Sequence, residues 1–237
     1  AAIDIYILRR TGAAESYSDE IQKEAEAFFA TLDKSSVKNL KDTFLLGFPG
    51  SGETLSLETV KERIERYNGI DNRIYRENLF EFLKVIVPAA VEAGVSLAIH
   101  PDDPPFPLMG LPRIVSTLED VIKITEFIDS PNNGITFCTG SFGASSFNDL
   151  PMMAEKLSSR INFAHLRNVT RDIDKNFHEN YFFDGDIDMY SIMKTLVVED
   201  IKRRKTDKDF SGIPVRPDHG ARMLGDFKEV TYPGYSL

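Results

Sequence analysis

The sequence predicts an α/β protein built on a parallel sheet. Short apolar segments of strand character alternate with segments of helical period along the chain, the order expected of strand–helix–strand units. The strand segments are almost continuously apolar, as strands are when helices cover both faces of a sheet. Of the 237 residues 42% are apolar, enough to bury one sizeable core.

The elements follow in order. AAIDIYILRR reads as a strand over Ile3–Leu8. YSDEIQKEAEAFFATLD reads as a helix, because Ser18 can cap it and Asp19 and Glu20 suit the positive end of its dipole. LSLETVKERIERYNGI and YRENLFEFLKVIVPAAVEAG continue in helical period, the second broken or kinked at Pro88 and stopped at Gly94. VSLAIH is the next strand. In STLEDVIKITEFIDS, Ser116 and Glu119 have capping-box spacing, and Leu118, Val121, Ile122, Thr125 and Ile128 share one helical face. PNNG turns the chain into strand ITFC. NDLPMMAEKLSSR is a weaker helix, INFAHLR a strand, DMYSIMKTLVVEDIKRRK a helix, and GIPVRPDHG the last strand and its tip. IKRRKTDKD reads as a solvated helix end followed by a loop.

Composition removes several classes of function. Lys and Arg number 28 against 37 Asp and Glu, a formal net charge of -9, with no run of five like charges and no basic stripe carrying aromatics. Nucleic acid is therefore excluded as the expected partner. No apolar stretch approaches the roughly 20 residues of a membrane span, and no basic segment leads into an apolar signal core. The single cysteine, Cys138, forms no internal disulfide, which suits a reducing compartment. A soluble cytoplasmic protein is expected. GFPGSG, at residues 47–52, follows a helix and matches neither a dinucleotide fingerprint nor a phosphate loop, so it reads as a plain turn.

Two architectures satisfy the alternation, an open doubly wound sheet and a closed (β/α)8 barrel, and both place ligands beyond the carboxyl ends of the strands. The strand tips are thus the place to look. VSLAIH ends at His100, ITFC at Cys138, INFAH at His165, and IPVRPDH reaches Asp218 and His219. A lone buried cysteine is usually a small hydrophobe and a lone histidine usually a hydrogen-bonded core residue. Here three of the chain's four histidines and its one cysteine gather at the same end of successive strands. Two imidazoles, a thiolate and a carboxylate bring two negative charges to a divalent cation, a set that Zn, Fe(II) and Mn(II) all accept. Four protein ligands that still admit a substrate require more than four-coordination, which suits Mn(II) or Fe(II) better than closed tetrahedral zinc.

The motifs HPDDPP, GLPRIVST, CTGSFG, FAHLRN, GDIDMY, RPDHG and PGYS, in this order, resemble the mannonate dehydratase family. The resemblance runs from IDIYILRR to the last residue. It implies a (β/α)8 TIM barrel of the xylose-isomerase-like kind, and the first barrel strands and the C-terminal closing segment are expected to be missing from these residues. Residues 1–237 then form one partial catalytic barrel domain with a helical insertion around 15–90. The implied activity is dehydration of D-mannonate to 2-keto-3-deoxy-D-gluconate in hexuronate (glucuronate) breakdown, with Mn(II) or Fe(II). The resemblance places the metal ligands on His100, Cys138, His165 and Asp218 and the acid/base pair on His219 and Tyr235. A homo-oligomer, a dimer, is expected.

Further residues stand near these motifs. Asp102 and Asp103 either orient His100 and meet substrate hydroxyls, or are ordinary turn acids ahead of Pro104. Arg167, two residues after a ligand, can pair its planar fork with a substrate carboxylate. Arg113 reads equally as an ion-pair partner near the Ser116 cap. His178, in NFHEN, sits in a polar loop long enough to cover a site. Two other readings remain: a metal-dependent sugar isomerase on the same barrel, against which Cys138 argues, and a non-catalytic barrel fragment held together by zinc.

Overall fold

The structure is a computed structural model that describes residues 1–46, 56–172 and 176–217. GFPGSG, Asp218, His219 and Tyr235 lie outside the described residues. The chain divides into two compact units, Ala1–Arg73 with Pro107–Pro112, and Ile74–Phe106 with Arg113 onward.

The first unit is helical. Helix α1 spans Asp19–Ala30, and the Ser18 hydroxyl accepts the Ile21 amide at 3.4 Å, the cap its sequence announced. Helices α2 (Lys34–Leu46) and α3 (Leu57–Glu65) follow, and Ser56 caps α3 by accepting the Thr59 amide. The expected strand at Ile3–Leu8 is instead a π-helical coil. A short apolar run carries no period that separates strand from helix, and here a buried acid decides the matter. Asp4 is 1% exposed and receives the Arg10 Nη2 at 2.7 Å and the Tyr17 hydroxyl at 3.0 Å, partners that a straight strand would carry away from it. Burial and the Asp4 charge push the Tyr17 phenol up to about 12, which keeps it a donor.

The second unit carries the sheet. Helix α4 runs Asn72–Glu92 as one element through Pro88, where a break or kink was expected. Leu83, Val87 and Ala90 stay buried on both sides of the proline, so packing maintains the helix across the missing donor. It ends as expected at Gly94, in the left-handed region at φ 66°, with the Val95 amide returning to the Ala90 carbonyl at 2.8 Å. Strand β1 (Leu97–Ile99), helix α5 (Leu118–Phe127), strand β2 (Asn133–Cys138), helix α6 (Thr139–Gly143), helix α7 (Leu150–Leu157) and strand β3 (Ile161–Leu166) come next. Strands β4 (Asn168–Arg171) and β5 (Phe177–Asn180) form an antiparallel ribbon, followed by helix α8 (Met189–Thr206) and strand β6 (Val215–Pro217).

The cap of α5 is Thr117, not Ser116: its hydroxyl accepts the Asp120 amide, while the Ser116 hydroxyl donates to Asp102. The α/β class with a parallel sheet holds. β1, β2, β3 and β6 pair in parallel in that spatial order, so the sheet grows in one direction with no reversal. β2 is buried along its whole length, and Phe137, Ile135, Ile161 and Ala164 pack with Val121 and Ile124 of α5 and Met153 and Leu157 of α7 in one core. Burying a side chain the size of Phe137 contributes about 1.5–3 kcal/mol.

Candidate metal centre

Parallel pairing brings three strand tips to one place. Cys138, the last residue of β2, is in register with His165 of β3, and His100 follows β1 directly. One ligand atom from each of His100, Cys138 and His165 lies within 4.8 Å of the others. Among the described residues this is the one group of His, Cys, Asp and Glu close enough to hold an ion.

The protonation pattern is readable from the contacts. His100 Nδ1 is 2.8 Å from the Pro101 carbonyl oxygen, which only accepts, so Nδ1 carries a proton. The proton that His100 can exchange is therefore on Nε2, which faces His165 Nδ1 at 3.3 Å. Burial pushes the Cys138 thiol up, but hydrogen bonds from His100, His165, and the Ser141 side chain and backbone outweigh it and bring the thiol down to about 6. Ser141 supplies its hydroxyl at 3.1 Å and its amide at 3.4 Å from Sγ, both from the first turn of α6, which Cys138 caps. The same contact with Cys138 raises the pKa of His100 against the opposing effect of burial. Two imidazoles facing a thiol that ionises easily form a donor set that fits a divalent metal. Residue 218 follows Pro217 of β6 but lies outside the described residues.

Around this cluster the acids and arginines have definite partners. Asp102 Oδ2 accepts the amides of Ile114 and Val115, each at 2.8 Å, and the Ser116 hydroxyl at 3.1 Å, with Arg113 Nη1 3.7 Å from its other oxygen. It organises the 114–116 segment. Asp103 Oδ2 accepts Arg167 Nη2 at 2.8 Å. Thr139 and Arg167 bond reciprocally: the Thr139 hydroxyl donates to the Arg167 carbonyl at 2.7 Å and accepts its amide at 2.8 Å. His178 stands exposed on β5, opposite Thr170, and is not a member of the three-residue cluster. Sequence reasoning gave no role to Thr139, Gly140 or Ser141, although Thr-Gly-Ser directly after a cysteine at a strand end is a recognisable helix start.

A model of the family described as D-mannonate dehydratase (UxuA) matches residues 9–237. The chain belongs to this family. It is 47% identical over 238 residues to a mannonate dehydratase of Chromohalobacter salexigens, covering 100% of this chain and 60% of that protein. It is 44% identical over 235 residues to mannonate dehydratase 2 of Agrobacterium fabrum, covering 99% of this chain and 59% of that one. The chain thus spans about three fifths of the length of these relatives. The crystal structure of mannonate dehydratase from Streptococcus suis serotype 2 superposes with a TM-score of 0.66 at 41% identity, over 79% of this chain and 51% of that one. No helix among the described residues is long and apolar enough to cross a membrane.

Proposed function

We propose that this protein dehydrates D-mannonate to 2-keto-3-deoxy-D-gluconate at a divalent metal held by His100, Cys138, His165 and Asp218. The observation that carries the reading is the convergence of two imidazoles and one ionisable thiol, from three successive parallel strands, to within 4.8 Å. Family membership points the same way. The barrel itself belongs to this proposal: a sheet whose strand order advances without reversal supports a (β/α)8 barrel over a doubly wound sheet, which reverses at a switch point. Mn(II) or Fe(II) is the expected ion, since four protein ligands that leave room for substrate exceed tetrahedral coordination.

The reaction removes the proton at C2 and the hydroxyl at C3 of the aldonate, and the resulting enol tautomerises to the 2-keto acid. When bound, the ion supplies the positive charge that offsets the charge building up beside the substrate carboxylate as C2 loses its proton. His219 and Tyr235 divide the proton transfers, one taking the C2 proton and the other protonating the departing C3 oxygen. Arg167 meets the substrate carboxylate with its planar fork, and Asp103 holds that fork by its Nη2. Asp102 contributes by fixing the 114–116 segment, and His178 meets substrate hydroxyls from the β4–β5 ribbon. The setting is hexuronate breakdown in the cytoplasm, with the protein working as a homodimer.

The test is an assay of metal-stripped protein with D-mannonate, with and without Mn(II) or Fe(II), following formation of a 2-keto acid. Product that appears only with metal supports the reading. A ketose formed from an aldose or a uronate supplied in a parallel assay, with D-mannonate left unchanged, would assign an isomerase, and no turnover of D-mannonate with either ion would end the proposal.

A further inference from the structure

Gly140 has no conformational reason to be glycine. It lies in the first turn of α6, and its φ is outside the left-handed region where glycine is favoured. Space is the reason instead. A Cβ placed on Gly140 would stand 1.9 Å from Arg167 Nε, 2.7 Å from its Cζ and 2.8 Å from its Nη2, and these are its three nearest atoms. The guanidinium occupies the volume that any side chain at residue 140 would fill.

We infer that Gly140 is a positioning residue: its bare Cα is the seat on which the Arg167 guanidinium lies, and it thereby sets where the carboxylate of an acidic substrate is met. The inference rests on the proposed role of Arg167 in binding that carboxylate. Two other contacts complete the seat. Thr139, one residue earlier, holds the Arg167 backbone through its reciprocal pair of hydrogen bonds. Asp103, beyond the tip of β1, holds Nη2. The main chain and the Nη2 end of the fork are thus fixed from the neighbouring strand tips, beside Gly140, two residues from Cys138. The side chain is left 12% exposed, enough for one edge of the fork to meet a ligand.

The test is a double-mutant cycle on Gly140→Ala and Arg167→Ala. It reads Tm, the Mn(II) affinity of the metal-stripped protein, and KM and kcat for D-mannonate. Gly140→Ala is expected to leave Mn(II) affinity unchanged and to raise KM about tenfold or more, the loss typical of a displaced charged hydrogen bond. It should also lower Tm. In the Arg167→Ala background the same change is expected to leave KM unaltered and to raise Tm, because alanine is favoured over glycine in a helix once the guanidinium is gone. An equal loss of Tm in both backgrounds, or an unchanged KM for Gly140→Ala, overturns the inference. If Gly140→Ala does not fold, the double variant must fold, and failure of both also overturns it. Lack of turnover by the unsubstituted protein would sink the proposed function instead, and the Tm cycle would still decide whether Gly140 is the seat.

Discussion

His100 Nε2 lies 3.3 Å from His165 Nδ1, although the two residues are 65 positions apart in the chain. Parallel pairing through β2 is what brings them together: β1 and β3 flank it, and Cys138 at its end stands in register with His165. Hydrogen bonds among the two imidazoles and the thiol join the three side chains.

The first prediction concerns the thiol of the metal-free protein. Hydrogen bonds at Sγ bring Cys138 down to about 6 despite its burial. Above that pH the sulfur is a thiolate and binds metal without releasing its own proton. Below it, metal must displace that proton, and affinity falls by about tenfold per pH unit for each proton displaced. Titration of the ultraviolet thiolate absorbance should give a midpoint near 6. A midpoint in the ordinary thiol range would contradict the hydrogen-bonding arrangement.

Asp102 provides a stability prediction that is separate from chemistry. Its Oδ2 accepts two amides at 2.8 Å and one hydroxyl at 3.1 Å. Asp102→Ala leaves those donors without their acceptor and should cost about 1–3 kcal/mol in denaturant unfolding, with an unchanged m-value. Asp102→Asn, which keeps one acceptor oxygen, should lose less. A neutral Asp102→Ala would show that the 114–116 segment stands without it.

The contrast between what the sequence disclosed and what it concealed has a physical basis. The first three strands of the sheet were legible because each is a short, largely apolar run with a polar, metal-binding residue type at its carboxyl end, and the gathering of His100, Cys138 and His165 was legible as part of the same pattern. Ile3–Leu8 misled, because the buried Asp4 finds Arg10 and Tyr17 only when the chain coils, and those partners come later in the sequence. The α5 cap moved by one residue because Ser116 is drawn to Asp102, a long-range bond that leaves Thr117 to cap the helix. The β4–β5 ribbon was read as a loop, since its two strands are short and polar. Gly140 was invisible for the same kind of reason. A glycine after a strand reads as a turn, and its real constraint is an arginine side chain from another strand.

His219 separates catalysis from ligation. Adjacent side chains of an extended chain point to opposite faces, so if Asp218 binds the metal the expected role of His219 is proton transfer. His219→Asn should keep the fold and the bound metal and lose about 10²- to 10⁴-fold in kcat, with KM changed far less. Loss of metal from the purified variant would make His219 a ligand. Near-normal turnover would remove it from the reaction.

The most direct test of the metal centre is X-ray absorption on the Mn(II)-loaded protein, beside the Cys138→Ser variant. One sulfur neighbour together with imidazole nitrogens is expected, and the sulfur signal should vanish in the variant along with most of the metal affinity, because a serine hydroxyl does not ionise at neutral pH. A spectrum showing only oxygen and nitrogen neighbours, unchanged by Cys138→Ser, would contradict a metal held by His100, Cys138 and His165.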